Sequence, residues 1–152
     1  MHFVTGGAYN GKARWVKSYY KEQGFEPNIW ISAYQGDDLR LFSMSEPANL
    51  AVIEGMELYI KELSKGKELD ECRKQWKDTL MSWAKWELSS EDHRLVLIGT
   101  DISKGIVPLE REHRVWRDLT GWVFQDAASI CHRVDLIWYG INKTLKNRRD
   151  FL

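Results

Sequence analysis

The run Gly6-Gly7-Ala8-Tyr9-Asn10-Gly11-Lys12-Ala13 has the spacing G-x-x-x-x-G-K, with Val4-Thr5 before it and an amphipathic helix pattern after it. Those residue types suit a phosphate chain. Glycines let the backbone curl so that successive N–H groups and the following helix N-terminus point at one anion, and the lysine reaches the outer phosphates. Position 13, where a Ser or Thr hydroxyl normally reaches Mg²⁺ in such loops, is alanine. The ion would then rest on water, phosphate oxygens and one carboxylate. A plain glycine-rich turn between a strand and a helix fits the same spacing. A second candidate is Ala51-Val52-Ile53-Glu54, a compact apolar run that ends in a carboxylate. Ligands of helix-flanked parallel sheets lie beyond the carboxyl ends of the strands. Glu54 is therefore expected to face the loop, as a Mg²⁺ or supporting residue or as an ordinary strand-end carboxylate.

The elements that must position these groups follow from periodicity. Residues 2–5 read as a strand, and residues 12–23 as a helix with Trp15, Val16, Tyr19 and Tyr20 on one face and Gly24 as its stop. Residues 28–33 read as a second strand, between Pro27 and Gln35-Gly36-Asp37-Asp38. Leu39, Leu41 and Phe42 suggest a short extended piece before a Ser45-Glu46-Pro47 turn. The strand at 51–54 leads into a helix over 56–63, broken near Ser64-Lys65-Gly66. Residues 68–88 carry Leu69, Cys72, Trp76, Leu80 and Trp83 at three- and four-residue intervals, which predicts a long amphipathic helix. The run at 94–99 is the strongest apolar stretch and is expected to be a central strand. A loop with Asp101 and Gly105-Ile106-Val107-Pro108 follows, with Pro108 opening a helix that runs to about His132. Residues 134–139 form another strand, and 141–145 an edge hairpin strand. Strands alternating with helices imply an open, mainly parallel α/β sheet in a single domain over 1–152.

Composition narrows the partners. Lys+Arg and Asp+Glu both number 22, so the chain lacks the basic footprint of a nucleic-acid binder. Lys146-Asn147-Arg148-Arg149 reads as a solvated tail. Cys72 and Cys131 lie far apart in helical patterns and are expected to be reduced core thiols, which suits a cytoplasmic protein. No apolar run has the length of a signal-peptide core or a membrane span. Most of the eight tryptophans are expected in the core or at a subunit interface.

The second half carries a more specific pattern: Gly105-Ile106-Val107-Pro108, Arg114, Arg117-Asp118-Leu119, Gly121, Val123 and Gln125, then Val134-Asp135-Leu136-Ile137-Trp138 closing on Gly140-Ile141 and Lys146. With Val4 to Ala8, Gly11-Lys12 and Ile53-Glu54-Gly55 in the same order, the chain resembles the adenosylcobinamide kinase / adenosylcobinamide-phosphate guanylyltransferase family of cobalamin salvage. The resemblance implies a P-loop NTPase-like sheet of the RecA type and assembly as a trimer. It also implies phosphorylation of the aminopropanol hydroxyl of adenosylcobinamide by ATP or GTP, followed by GMP transfer through a guanylylated histidine. By position, residues 6 to 13 hold the triphosphate. Ser32, Ala33 and Tyr34 match the nucleotide-contacting end of the second strand, and Glu54 matches the acidic nucleotide-site residue. Asp101 stands where the family has glutamate. Lys12, Glu54 and Asp101 are thus the catalytic candidates, and Glu54 and Asp101 the Mg²⁺ candidates. The family's guanylylated histidine lies between the second and acidic strands, an interval that is short here and contains no histidine. His113 is the one other histidine expected near the active face. The expectation is a kinase without the guanylyltransferase half; the alternative is a nucleotide-binding regulator or assembly protein that has lost catalysis.

Overall fold

The computed structural model describes residues 1–42, 44 and 48–148. Its elements are β1 (His2–Gly6), α1 (Lys12–Glu22), β2 (Ile29–Ser32), β3 (Ala51–Glu54), α2 (Met56–Leu63), α3 (Leu69–Leu88), β4 (Leu95–Thr100), α4 (Arg111–Ile130), β5 (Arg133–Trp138) and β6 (Ile141–Asn147). The strands form one six-stranded sheet in the order β2-β3-β4-β1-β5-β6. All neighbours are parallel except β5 and β6, which pair as a hairpin. This is the mainly parallel, helix-flanked α/β sheet expected of a P-loop NTPase-like fold.

Strand alternation sorts the core into two layers. Phe3, Ile53, Leu95 and Leu97 face α2, α3 and α4, where Trp76, Leu80, Trp83, Leu119 and Val123 pack against them. Val4, Val52, Val96, Ile98 and Ile137 face α1 through Val16 and Tyr20. The expected periodicity of α3 is realised: Cys72, Trp76, Leu80 and Trp83 are buried, and Trp86 extends the stripe. Both cysteines are free and buried. Among the described residues no helix is long and apolar enough to cross a membrane.

Three local readings change. Leu39–Leu41 is a 3-10 turn rather than an extended piece, because the Asp38 carboxylate accepts the Arg40 N–H at 2.8 Å and caps it. The Ser45-Glu46-Pro47 turn lies outside the described residues. Helix α4 begins at Arg111, not Pro108, because the carbonyl of Pro108 is turned to the Arg114 guanidinium at 3.1 Å. It ends at Ile130, since Cys131 is already extended toward β5. The basic end is not a tail up to residue 148. Lys146 lies in β6 and donates to the carbonyls of Ala128 and Ser129, both at 2.8 Å, capping the C-terminus of α4. Arg149 lies outside the described residues.

The amino end of β1 carries a buried polar network. The His2 Nε2–H donates to Asp135 Oδ2 at 2.6 Å, and Tyr20 donates to His2 Nδ1 at 2.9 Å. Arg133, Asn142 and Thr144 also donate to Asp135, at 2.7, 3.1 and 2.8 Å. Burial lowers the proton affinity of His2 despite the Asp135 carboxylate beside it. The ring is therefore neutral, which fixes this tautomer. The unfolded chain takes up that proton below about pH 6.5, so the stability held in a neutral His2 is complete above that pH and is lost as pH falls. Urea unfolding is expected to show wild-type stability declining from pH 7 to 5, with the decline much reduced in His2→Gln. Asp135→Ala, which leaves Arg133 without its carboxylate, is expected to cost about 3–5 kcal/mol at pH 7.

Candidate functional site

The phosphate loop begins where β1 can leave the sheet. Gly6 pairs with Thr100 at the end of β4 and has φ +148°. A Cβ there would lie 2.3 Å from the Ile137 carbonyl oxygen of β5, so no side chain fits between the two neighbouring strands. The loop ends at Gly11, whose φ of +85° starts α1 without any side-chain cap. The first-turn N–H groups are thus left for a ligand. The β5–β6 turn braces the loop from the side: Gly140 N–H donates to Asn10 O at 2.8 Å, and Tyr139 N–H to Asn10 Oδ1 at 3.4 Å. Lys12 is the first residue of α1. It is 8% exposed, and its Nζ donates to the Gly7 carbonyl at 2.8 Å.

Strand register brings the acidic groups to the same end. Ser32 pairs with Glu54 and Glu54 with Ile98, so β2, β3, β4 and β1 finish side by side. Between them and the loop lies a cavity of about 470 Å³, whose walls include Tyr9, Lys12, Arg14, Tyr34, Glu54 and Glu57. The indole of Trp30 donates to Glu54 Oε2 at 2.7 Å and fixes that carboxylate. Glu57, in the first turn of α2, is 3% exposed. Its Oε2 accepts the Tyr34 hydroxyl at 2.6 Å and its Oε1 the Thr100 N–H at 2.8 Å. Burial lowers the Lys12 pKa, while Glu57 and Glu54 act in the opposite direction. Burial, then the Glu57 hydrogen bond, raises that of Tyr34. A buried ammonium and an uncapped helix start favour an anion, and Glu54 is the carboxylate whose remaining oxygen is left to the cavity.

Of the residues expected from sequence, Ala8, Tyr9, Gly11, Lys12, Ala13, Tyr34 and Glu54 line this cavity. Gly6, Gly7 and Asn10 belong to the loop but are not among the walls of this cavity. Ser32 is buried, with its N–H turned to the Asp37 carboxylate at 2.9 Å. Ala33 packs on Gly55, where an added Cβ would come within 2.8 Å of the Ala33 Cβ. Neither forms a wall. Asp101 reaches the rim through its N–H, which donates to Gly6 O at 2.9 Å. Its carboxylate is turned to Ser103, accepting the backbone N–H at 2.8 Å. The structure therefore does not bring the two proposed Mg²⁺ residues into one cavity. Among the described residues no group of three or more His, Cys, Asp or Glu side chains is placed to hold a metal. His113 lies outside the loop cavity, exposed on α4 and 3.8 Å from Glu110. Glu57, Thr100 and Arg14 line the cavity as well and are not among the residues expected from sequence. The first had a signal, since Glu54-Gly55-Met56-Glu57 puts a second carboxylate in the first helical turn after the acidic strand end.

A family model described as cobinamide kinase / cobinamide phosphate guanyltransferase matches residues 27–145. The matched segment contains Tyr34, Glu54, Glu57 and the 105–125 signature; the loop at 6–13 precedes it. No curated protein matches the chain. If Tyr34 and Glu57 support the cavity wall as the geometry indicates, Tyr34→Phe leaves a buried carboxylate oxygen without its donor. The expected loss is about 1–3 kcal/mol, read as a fall of several degrees in thermal midpoint.

Proposed function

The chain belongs to the cobinamide kinase / cobinamide phosphate guanyltransferase family, nucleotide-binding enzymes of cobalamin salvage, and on that premise we propose that it is an adenosylcobinamide kinase. The observation that carries this reading is the buried Lys12 at the uncapped start of α1, in one cavity with Glu54. In the proposed mechanism the loop amides and Lys12 hold the ATP or GTP phosphates and offset the charge spread over the transferred group. Arg14 adds a second cation at the cavity wall. Glu57 acts through others, holding Tyr34 and the end of β4 in place. A loose phosphoryl-transfer transition state asks mainly for position and charge neutralisation, which these groups supply. The residues fit a Mg²⁺ ion that Glu54 would hold from the protein side. Such an ion supplies charge neutralisation between the carboxylate and the phosphates. Asp101 is assigned to the rim beside Gly6.

Guanylyl transfer is not part of the proposal. The interval between Tyr34 and Glu54 has no histidine, and His2, His93, His113 and His132 are not among the walls of the loop cavity. We propose further that residues 1–152 act as one nucleotide-binding domain, in a cytoplasmic homotrimer. Ala13 favours a second reading, a nucleotide-binding regulator or assembly protein without turnover.

Purified protein with ATP or GTP, Mg²⁺ and adenosylcobinamide is expected to yield the phosphorylated corrinoid. Lys12→Ala is expected to lower the rate by about 10²–10³-fold, the scale for losing one preorganised charge at a transition state. Ala13→Ser, restoring a hydroxyl for the ion, is expected to raise the rate at limiting Mg²⁺. Nucleotide binding without turnover across nucleotides and metals would transfer the assignment to the regulator.

A further inference from the structure

The loop cavity does not end at the loop. Tyr9, Gly11 and Arg14 also form one side of a second hollow, of about 630 Å³, completed by Trp15, Ser18 and Tyr139 among others. A single molecule with a phosphate chain and a flat ring would span the two by passing over those three shared residues. Resting on the nucleotide-binding reading above, we propose that this second hollow is the nucleobase pocket, with Tyr9 and Tyr139 as its stacking rings.

The backbone points the same way. Tyr9 and Tyr139 have φ of +60° and +51°, and they are the only non-glycine residues with positive φ among the described residues. For a bulky side chain that conformation is strained, and such strain gathers where a ligand is clamped. Both strained residues sit on the same hollow, and the bonds from the 139–140 turn to Asn10 lock their two turns together. Their rings are left in water: Tyr9 is fully exposed and Tyr139 is 79% exposed. Trp138 stacks on Tyr139, with centroids 5.6 Å apart and planes 18° from parallel, so that ring is backed by a second one. Trp76, Trp83 and Trp86 show that the fold has room to bury large rings elsewhere. Stacked bases bind such rings whatever their edge pattern, because each base has a π-face. Arg14, on the wall common to both hollows, is placed to meet the phosphates nearest the nucleoside.

The test compares ATP with inorganic tripolyphosphate, which has the phosphates but no base. Calorimetry uses wild type and the double variants Tyr9→Asn/Tyr139→Asn and Tyr9→Phe/Tyr139→Phe. Asparagine tolerates positive φ, so the first variant keeps the two turns while removing the rings. Wild type and the Phe pair are expected to prefer ATP over tripolyphosphate by at least about tenfold, the scale of one base stack. The Asn pair is expected to lose most of that preference while tripolyphosphate affinity stays within a few-fold of wild type. A full ATP preference in the Asn pair overturns the base pocket but leaves the phosphate loop standing. A change in oligomeric mass with ATP affinity unchanged also overturns it, and makes the patch a subunit interface. If wild type binds neither ATP nor tripolyphosphate, the nucleotide reading itself fails and the pocket with it. Should the Asn pair fold poorly, an absent ATP preference in wild type overturns the proposal by itself.

Discussion

Strand β1 is hydrogen-bonded on both sides, to β4 and β5, and must leave the sheet in one residue to start the loop. At Gly6 the Ile137 carbonyl oxygen stands 2.3 Å from where a Cβ would be, so only a glycine passes. From that exit the rest follows. The loop is held against the β5–β6 turn through Asn10 and Gly140, α1 starts without a side-chain cap, and Lys12 enters a buried position in one cavity with Glu54 and Glu57. Because β4 lies between β1 and β3, the loop and Glu54 are one strand apart, which leaves the 470 Å³ cavity between them. A side chain at position 6 would displace the loop, and with it each group the chemistry uses.

The charges around that cavity balance only loosely. Lys12 is an ammonium kept from water, so burial weakens its hold on a proton and Glu57 and Glu54 offset only part of that loss. Glu57 has both oxygens occupied by Tyr34 and Thr100. Glu54 has one oxygen on Trp30 and faces the cavity. Two carboxylates of the same charge thus do different work: one ties together the segment after β2, α2 and β4, and the other is presented to whatever lies in the cavity. A phosphate chain in that cavity would offset the burial of Lys12, and a divalent cation would offset the repulsion between that chain and Glu54. The alanine at position 13 would offer such a cation no hydroxyl oxygen, so more of its hold would fall on the phosphates.

Much of this was legible from residue patterns. The period-two strands, the three- and four-residue stripe of α3 and the glycine spacing before Lys12 each encode their structure locally. The failures were also local in cause. A proline near a helix start suggests the helix's first residue, whereas Pro108 turns its carbonyl to Arg114 instead. The composition of the basic end suggests a solvated tail, and nothing in it shows that Lys146 reaches the last carbonyls of α4. For a similar reason the Asp101 carboxylate, expected in the site, is turned to Ser103, while Glu57 lines the cavity. Carboxylate position along a strand end can be read from sequence, but whether it turns to a neighbouring serine or into a cavity depends on contacts made across the sheet. The paired strain at Tyr9 and Tyr139, 130 residues apart in the chain, had no sequence signal.

The claim on which the account turns is that the loop at 6–13 grips phosphate through Lys12. It is met most directly by calorimetric titration of the intact protein with ATP and with GTP, with and without Mg²⁺, beside Lys12→Ala. The account predicts saturable binding of one nucleotide per chain, strengthened by Mg²⁺ and lost or severely weakened in Lys12→Ala. Equal nucleotide affinity in the two proteins, or no heat of binding in wild type at millimolar nucleotide, would contradict it.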